Sequence, residues 1–485
     1  MTLSSHPDQG IARAPLLFIL GPVFLSLVLA DRGLAAAPSG AVSFLVCLGA
    51  LLVFSGARPP RFLHYVLLTA MLAFLLSFVS VARIQSFTPL RGAVTDGGEV
   101  ILERSWGAKR AVVVEGEKGR FLLKISPDKT APEGQSIFFT GEPASFTRSA
   151  TSSFREDLYW RARGVRAEIV PARLSLKRAQ LPGLPSFRTA LRKKILLSLP
   201  PMTRGYLLAA LLGASDPALA GDHREWGTAH LLAVSGFHVG LAAALAWKLL
   251  SLALFRRALP YRARVFAASL LVWGYALLAG GAPSAVRAAL MVQAVLMGRL
   301  MGRRGRPLNA VAMAALALLL WRPEWYADLG WRLSVTAALL LAALTELGGG
   351  WRAALAAPLL VWLATYPLTA EAFGAVPLSG IIVNMAALPV FAFLYPLAVA
   401  ASLPALLGIP GGYYAAGAAE GLFVLWGRIA DGLAALLPWS APWSEGALFL
   451  GASAFSVVLS LGVFPPGIRS LGAVILLTSA AVLLF

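Results

Sequence analysis

The chain has 485 residues, 58% of them hydrophobic and only 13% charged, with a formal net charge of +19 at pH 7. A soluble domain is about half apolar and about a quarter charged, so this composition excludes an ordinary soluble protein and points to repeated membrane crossings. The single cysteine, Cys47, excludes an intrachain disulfide and a thiolate metal cluster. The positive charge is nearly all arginine and suits nucleic acid, anionic lipid or an anionic substrate. Topology signals in cytoplasmic loops account for part of it.

Three apolar runs open the chain, near residues 15–30, 40–56 and 62–82. The first has no small-residue cleavage site after it and reads as an uncleaved helix. "GARPPR" between the second and third holds Arg58 and Arg61, which places that linker in the cytoplasm and the end of the third run, near Ser80, outside it. Residues 1–82 are therefore expected to form N-terminal transmembrane helices.

Residues 83–180 read as a separate extracytoplasmic β domain. "GEVILERSW", "RAVVVEG", "GRFLLKIS" and "QSIFFTG" are short strand-like stretches bounded by Gly, Pro or Asp. About five such strands suit a small barrel of the OB type, and a simple β-sandwich fits the same pattern. Phe121, Phe138, Phe139 and Phe154 are expected in its core, beside Tyr159 and Trp160. Arg161, Arg163 and Arg166 are expected at its surface, as candidate contacts to phosphate groups.

Residues 181–228 are expected to be amphipathic or interfacial helices. "PSFRTALRKKILLSLPPMTRGYLLAALLGAS" sets Arg188, Arg192, Lys193 and Lys194 before an apolar turn. It suits a helix lying on the membrane surface and, equally, one packed on the bundle with a wet charged face.

Residues 229–485 return to apolar runs, near 230–254, 265–280, 285–301, 307–321, 331–347, 353–371, 379–403, 413–437, 446–463 and 470–485. "FRRALPYRAR" and "GRLMGRRGR" are arginine-rich and separated by two crossings, so both are expected in the cytoplasm. "WRPEWYADLGW" is rich in Trp and Tyr and suits the opposite interface. The fold class is thus a polytopic α-helical membrane protein with an inserted small extracytoplasmic β domain, an OB-type barrel.

Polar groups inside hydrocarbon are costly and usually face the bundle interior or a wet cavity. Lys248, Arg332, Glu346 and Glu371 sit near predicted ends, where long side chains snorkel. Gln293, Asn309, Glu420 and Arg428 are further candidates. The most informative segment is "AHLLAVSGFHVGLAAALAW", where His230 and His238 flank Ser235-Gly236. Eight residues separate the two imidazoles, a poor spacing for one metal. Ser235 and His238 can touch at i, i+3, but the segment is not a G-x-S-x-G elbow and no carboxylate orients the pair. Small-residue helix packing is one reading. A helix broken at Ser235-Gly236 that lines an aqueous path, with His238 facing water, is the other. "LAGGAPSAVRAALM" sets Ser284 and Arg287 at a helix N-terminus, either an anion-friendly surface or an ordinary tight turn. Asn384 lies among Pro377, Pro389 and Pro396, which imply kinks around a polar residue. The expected pore-lining set is His230, Ser235, Gly236, His238, Ser284, Arg287 and Asn384. No P-loop and no H-x-H-x-D-H cluster occurs, so neither ATP hydrolysis nor metal-dependent nuclease chemistry is expected.

"AHLLAVSGFHVGL" resembles the signature of the ComEC family of competence proteins, the DNA-uptake channels of transformable bacteria. "FREDLYWRARGV" (Phe154, Tyr159, Arg163, Gly164), "LLAALLGASDPAL" and "YALLAGGAPSAVRAALM" (Pro283, Ser284, Arg287, Ala288) are similar to family segments in the family's order. So are "ADLGWRLS" (Asp328, Gly330, Leu333, Ser334) and "VPLSGIIVNMAALPVF" (Pro377, Ser379, Asn384, Pro389). The chain departs from the pattern at Ala214-Ser215, where a charged pair is usual, at Arg332, where glutamine is common, and at Arg155-Glu156. The metallo-β-lactamase-like domain of many members is not expected here. The resemblance implies an inner-membrane channel that passes single-stranded DNA into the cytoplasm, without a cofactor. It implies as partners membrane lipids, a periplasmic DNA receptor, a cytoplasmic helicase-like motor and a separate nuclease, with a homo-oligomer compatible. Other classes consistent with the residues are a transporter of small or lipid-linked anions and an intramembrane hydrolase using Ser235 and His238.

Overall fold

A computed structural model of the protein describes residues 16–463, apart from 56–59, 88–89, 91, 145, 147–154, 181, 215, 303–305 and 349. The expectations for Arg58, Phe154, Ser215, Arg303, Arg304 and the run 470–485 lie outside the described residues.

Helices α1 (Leu17–Asp31), α2 (Ala36–Ser55) and α3 (Pro60–Gln85) open the chain. They are apolar on nearly every face, and a helix is the only form in which such a segment pairs its own peptide groups in lipid. Five strands follow: β1 (Val94–Trp106), β2 (Lys109–Gly116), β3 (Gly119–Ile125), β4 (Gln135–Ala144) and β5 (Val165–Gln180), with α4 (Glu156–Ala162) inserted before β5. They close into a barrel in the order β1-β2-β3-β5-β4. All pairs are antiparallel except β3 with β5. The closed barrel is of the OB type and excludes the β-sandwich.

Next come α5 (Leu184–Ser198), α6 (Pro201–Leu212), α7 (Pro217–Glu225), a 3-10 turn at Ala229–Leu231, α8 (Gly236–Leu250), α9 (Ala253–Ala258), α10 (Tyr261–Leu278), α11 (Pro283–Leu300) and α12 (Pro307–Trp321). A second 3-10 turn (Pro323–Ala327), α13 (Leu329–Glu346), α14 (Gly350–Phe373), α15 (Ser379–Leu407), α16 (Gly412–Ala435) and α17 (Glu445–Val463) complete the described chain. Short strands β6 (Ala375–Pro377) and β7 (Ser440–Pro442) pair with each other. Among the described residues four helical stretches are long and apolar enough to cross a membrane: Val66–Gln85, α13, α14 and α15. The chain is thus a polytopic helical protein with an inserted five-stranded barrel.

Two details differ from expectation. The run expected over 230–254 is a 3-10 turn, α8 and the start of α9. Pro389, Pro396 and Pro404 lie inside α15, which runs as one helix, whereas Pro377 belongs to β6. The segment 185–215 divides at Pro200: α5 keeps Arg192, Lys193 and Lys194 exposed, while Tyr206 and Leu207 of α6 are buried.

The helices pack around two main cores. One joins α1–α3, α12–α14 and α17; the other joins α5, α6, α15 and α16. The barrel has its own interior, built on Val100, Val112, Phe121, Ile137 and Phe139. A second small cluster lies on the outer face of β2 and β3: Ala111, Val113 and Leu122 under Trp160 of α4. That double burial explains why "AVVV" and "FLL" are unbroken apolar runs rather than alternating ones. Phe138 is the exception among the phenylalanines expected inside: it is 47% exposed.

α4 bolts the barrel to the bundle. Toward the barrel, Lys124 lies 2.8 Å from Glu156 and 2.9 Å from Glu168, and Trp160 Nε1 donates to Glu156 at 3.0 Å. Toward the bundle, Leu158 and Ala162 join the first helical core. Arg155 pairs with Asp31 (2.6 Å), Arg161 with Glu324 (3.5 Å) and Arg163 with Asp328 (3.5 Å). A second anchorage joins the barrel to α5, where Arg188 pairs with Glu133 at 3.3 Å and Thr189 Oγ1 donates to the Glu133 carbonyl at 2.7 Å.

Burial alone would lower the Lys124 pKa, but hydrogen bonds and charge from Glu156 and Glu168 outweigh it and hold the amine above its ordinary range. A raised lysine pKa stabilises the fold fully below that range and stops doing so as pH climbs through the raised value. Replacing Lys124 with Met leaves two buried carboxylates facing each other. We expect this to weaken the barrel by about 3–5 kcal/mol, read as lost hydrogen-exchange protection of β3 and β5 amides; unchanged protection would contradict the assignment.

Candidate functional site

The segment from Gly227 to α8 is where the helices part. Between the 3-10 turn and Gly236 the chain is not helical. Leu231 and Leu232 pack into the core with α15 and α16, whereas Val234 and Val239 pack into a separate cluster with α10 and α11. The break at Ser235-Gly236 is therefore the point where the segment passes from one core to the other.

A broken helix in an apolar setting needs partners for the peptide groups it frees. Here they come from two helices. Ser284 Oγ at the start of α11 donates to the Val234 carbonyl at 2.5 Å. From α15, Asn384 Nδ2 donates to the carbonyls of Gly227 (3.2 Å) and Gly380 (2.6 Å), and Tyr395 Oη donates to Leu231 at 2.9 Å. Ser379 Oγ donates to the Glu225 carbonyl at 3.1 Å. Gly227 has φ +68°, and a Cβ there would stand 2.7 Å from Gly380 Cα. Glycine at both positions lets the two backbones touch.

Ser235 caps α8. The Ser235 N–H donates to His238 Nδ1 at 3.3 Å, and Ser235 Oγ lies 3.1 Å from the same nitrogen. Nδ1 is thus an acceptor, which places the proton of the neutral ring on Nε2. His238 is 4% exposed and its ring lies 4.8 Å from that of Tyr395. The expectation that His238 faces water is corrected: the capping contact turns the imidazole into the protein. Nε2 has no partner among the described residues, so no carboxylate orients the ring as a hydrolytic triad requires.

His230, Ala233, Gly236 and Gly240 are exposed. Gly236 faces Ala288 of α11; a Cβ there would lie 3.8 Å from the alanine methyl. Arg287 is 1% exposed, and its Nη2 donates to the Ser284 carbonyl at 3.5 Å. The structure therefore brings Ser235, Gly236, His238, Ser284, Arg287 and Asn384 around one break, with His230 at its edge.

Two of the three arginines expected on an exposed barrel surface lie elsewhere. Arg161 is half-buried against the Phe87 ring (4.0 Å), donates to the Ile84 carbonyl (3.1 Å) and pairs with Glu324. Burial pulls its pKa down, against the opposing charge of Glu324. Arg163, also half-buried, stacks over Tyr159 at 3.5 Å and pairs with Asp328. Both are occupied because α4 lies between barrel and bundle, a placement that spacing did not reveal. Arg166 is exposed and donates to the Lys118 carbonyl at 2.7 Å.

Asp328, His223 and Tyr395 were not singled out as site residues by sequence reasoning, and Glu420 was named only as a further polar candidate. Asp328 caps α13 by accepting from Trp331 N–H at 2.9 Å, and an Asp three residues before a Trp-led apolar run was the available signal. Glu420 accepts from the N–H groups of Met202 (2.9 Å) and Thr203 (2.7 Å), capping α6 from α16. Buried His223 lies 2.9 Å from Tyr206 Oη and 2.8 Å from Thr228 Oγ1. Tyr395 was hidden in an apolar run. Among the described residues no group of three or more His, Cys, Asp or Glu could hold a metal ion.

The two kinds of contact at the break differ in cost. Ser235→Ala removes one cap, worth about 1 kcal/mol. Asn384→Leu removes the side-chain donor to the Gly227 carbonyl, which has no other donor among the described residues, at about 1–3 kcal/mol. Thermal unfolding of the purified protein should rank Asn384→Leu as the more damaging change; the reverse order would contradict the assignment.

A family model described as Competence protein matches residues 211–467, a span that contains the whole break and its partners but not the barrel. ComE operon protein 3 of Bacillus subtilis (strain 168) is 29% identical over 252 residues, covering 49% of this chain and 30% of that protein. The chain thus spans less than a third of the relative it matches. No solved structure matches it. The chain belongs to the competence protein family.

Proposed function

We propose that this protein is a ComEC-type channel that passes single-stranded DNA across the cytoplasmic membrane during natural transformation. The observation that carries the reading is the break at Ser235-Gly236, inside the family-matched span. It is held by side chains from α11 and α15 and has the exposed His230 at its edge. A solvated break between two helical cores is how helical membrane proteins route a polar solute through the midplane.

The barrel faces away from the cytoplasm in this reading. The arginine-rich linkers set that direction, and α4 touches the Trp/Tyr-rich turn at Pro323–Ala327, which the same counting puts on the barrel's side. OB barrels take oligonucleotides on the face of strands 2 and 3. Here α4 covers that face, so the barrel serves as a fixed collar, and the exposed Arg166 remains as its candidate phosphate contact. A periplasmic receptor delivers the DNA, a helicase-like motor in the cytoplasm pulls the strand, and a separate nuclease removes the other strand. The channel has no chemistry of its own.

A deletion strain should bind labelled DNA at its surface while the label reaching the cytoplasm falls to background. Undiminished internalisation would sink the proposal. Complementation with Ser235→Ala should restore uptake, because a pore tolerates the loss of one cap; complete loss with a folded variant would favour a hydrolase.

A further inference from the structure

Arg287 has more hydrogen-bonding capacity than the protein uses. Its side chain is 1% exposed, yet Nε and Nη1 have no partner among the described residues. The guanidinium curls back along its own helix to the Ser284 carbonyl, as long side chains on a helix do. It therefore lies beside the first turn of α11, an 18-residue helix opened by Pro283. The N–H groups of Ser284 and Ala285 belong to that turn and have no backbone acceptor among the described residues. Asp328 is near enough to act on Arg287 electrostatically, but its two oxygens serve Trp331 N–H and Arg163.

A buried guanidinium with free donors is costly unless an anion completes it. We infer that Arg287 and the first turn of α11 form a binding site for one phosphodiester group of a nucleic-acid strand. The forked donors match two oxygens of a phosphate, and the helix terminus adds N–H donors and a partial positive charge. The neighbouring approach is the exposed strip of Ala233, Gly236 and Gly240 beside His230. Small residues there admit a polymer backbone and offer no apolar groove for acyl chains, which favours a nucleic-acid phosphate over a lipid headgroup. The inference rests on reading the chain as a DNA channel and adds where that channel grips its substrate.

The test uses the full chain in phosphatidylcholine nanodiscs, with a short oligothymidylate and inorganic phosphate as probes. The unfolding midpoint should rise saturably with oligothymidylate and, at higher concentration, with phosphate. The rise should vanish in Arg287→Gln and shrink in Arg287→Lys, which keeps the charge but not the fork. Equal shifts in wild type and variants, or none in wild type, would overturn the site. A shift produced by phosphatidylglycerol nanodiscs and not by oligothymidylate would reassign it to lipid and also overturn it. Should Arg287→Gln fail to fold, the comparison rests on Arg287→Lys. Uptake in the deletion strain is scored separately, so the site can fail while the channel reading stands.

Discussion

A helix that stops inside an apolar phase leaves peptide groups with no water to bond, and the arrangement of helices around residues 227–235 answers that requirement. The carbonyls of Gly227, Leu231 and Val234 are met by a hydroxyl or amide from α11 or α15. This explains why Ser284, Asn384 and Tyr395 sit in otherwise apolar helices, and why Gly227 and Gly380 are glycines: the backbones must come close for such short side chains to reach. The price of breaking the helix is thus distributed over two neighbouring helices, which it also fixes in position.

The same economy of polar groups governs the barrel. Its outer β2–β3 face is apolar and would be a liability in water, but α4 seals it and turns a second face to the bundle. The charges around α4 belong to different elements: Asp31 ends α1, Glu324 lies in the turn after α12, and Asp328 caps α13. Ion pairs of this kind contribute little to stability on balance, because desolvation offsets attraction. Their directional demand constrains how the barrel sits, and Glu133 and Arg188 add a second point of attachment, to α5.

Much of this architecture was legible in the residues. Long apolar runs, arginine-rich linkers and short turn-bounded strands lead directly to helices, topology and a small barrel. The Ser-Gly interruption was legible too, because glycine after a capping residue marks a helix start. The direction in which a side chain turns was not. His238 looked water-facing because polar residues in lipid usually are, yet the cap at Ser235 outcompeted water for Nδ1. Arg161 and Arg163 looked like surface charges because their partners, Glu324 and Asp328, lie far away in sequence. Phe138 looked like core because strand alternation predicts a face and not which face is covered.

The seat of the barrel also sets an order of assembly. Arg155 finds Asp31 across 124 residues of earlier chain, but Arg163 meets Asp328 only 165 residues later. The strands of the barrel pair among themselves within residues 94–180. The bolt closes only after α12 has been inserted and the turn beyond it has arrived on the barrel's side of the membrane. A helix inserted the wrong way round would leave Glu324 and Asp328 on the far side and α4 unseated. The docking of α4 therefore couples the seat of the barrel to the placement of the turn beyond α12 and the start of α13.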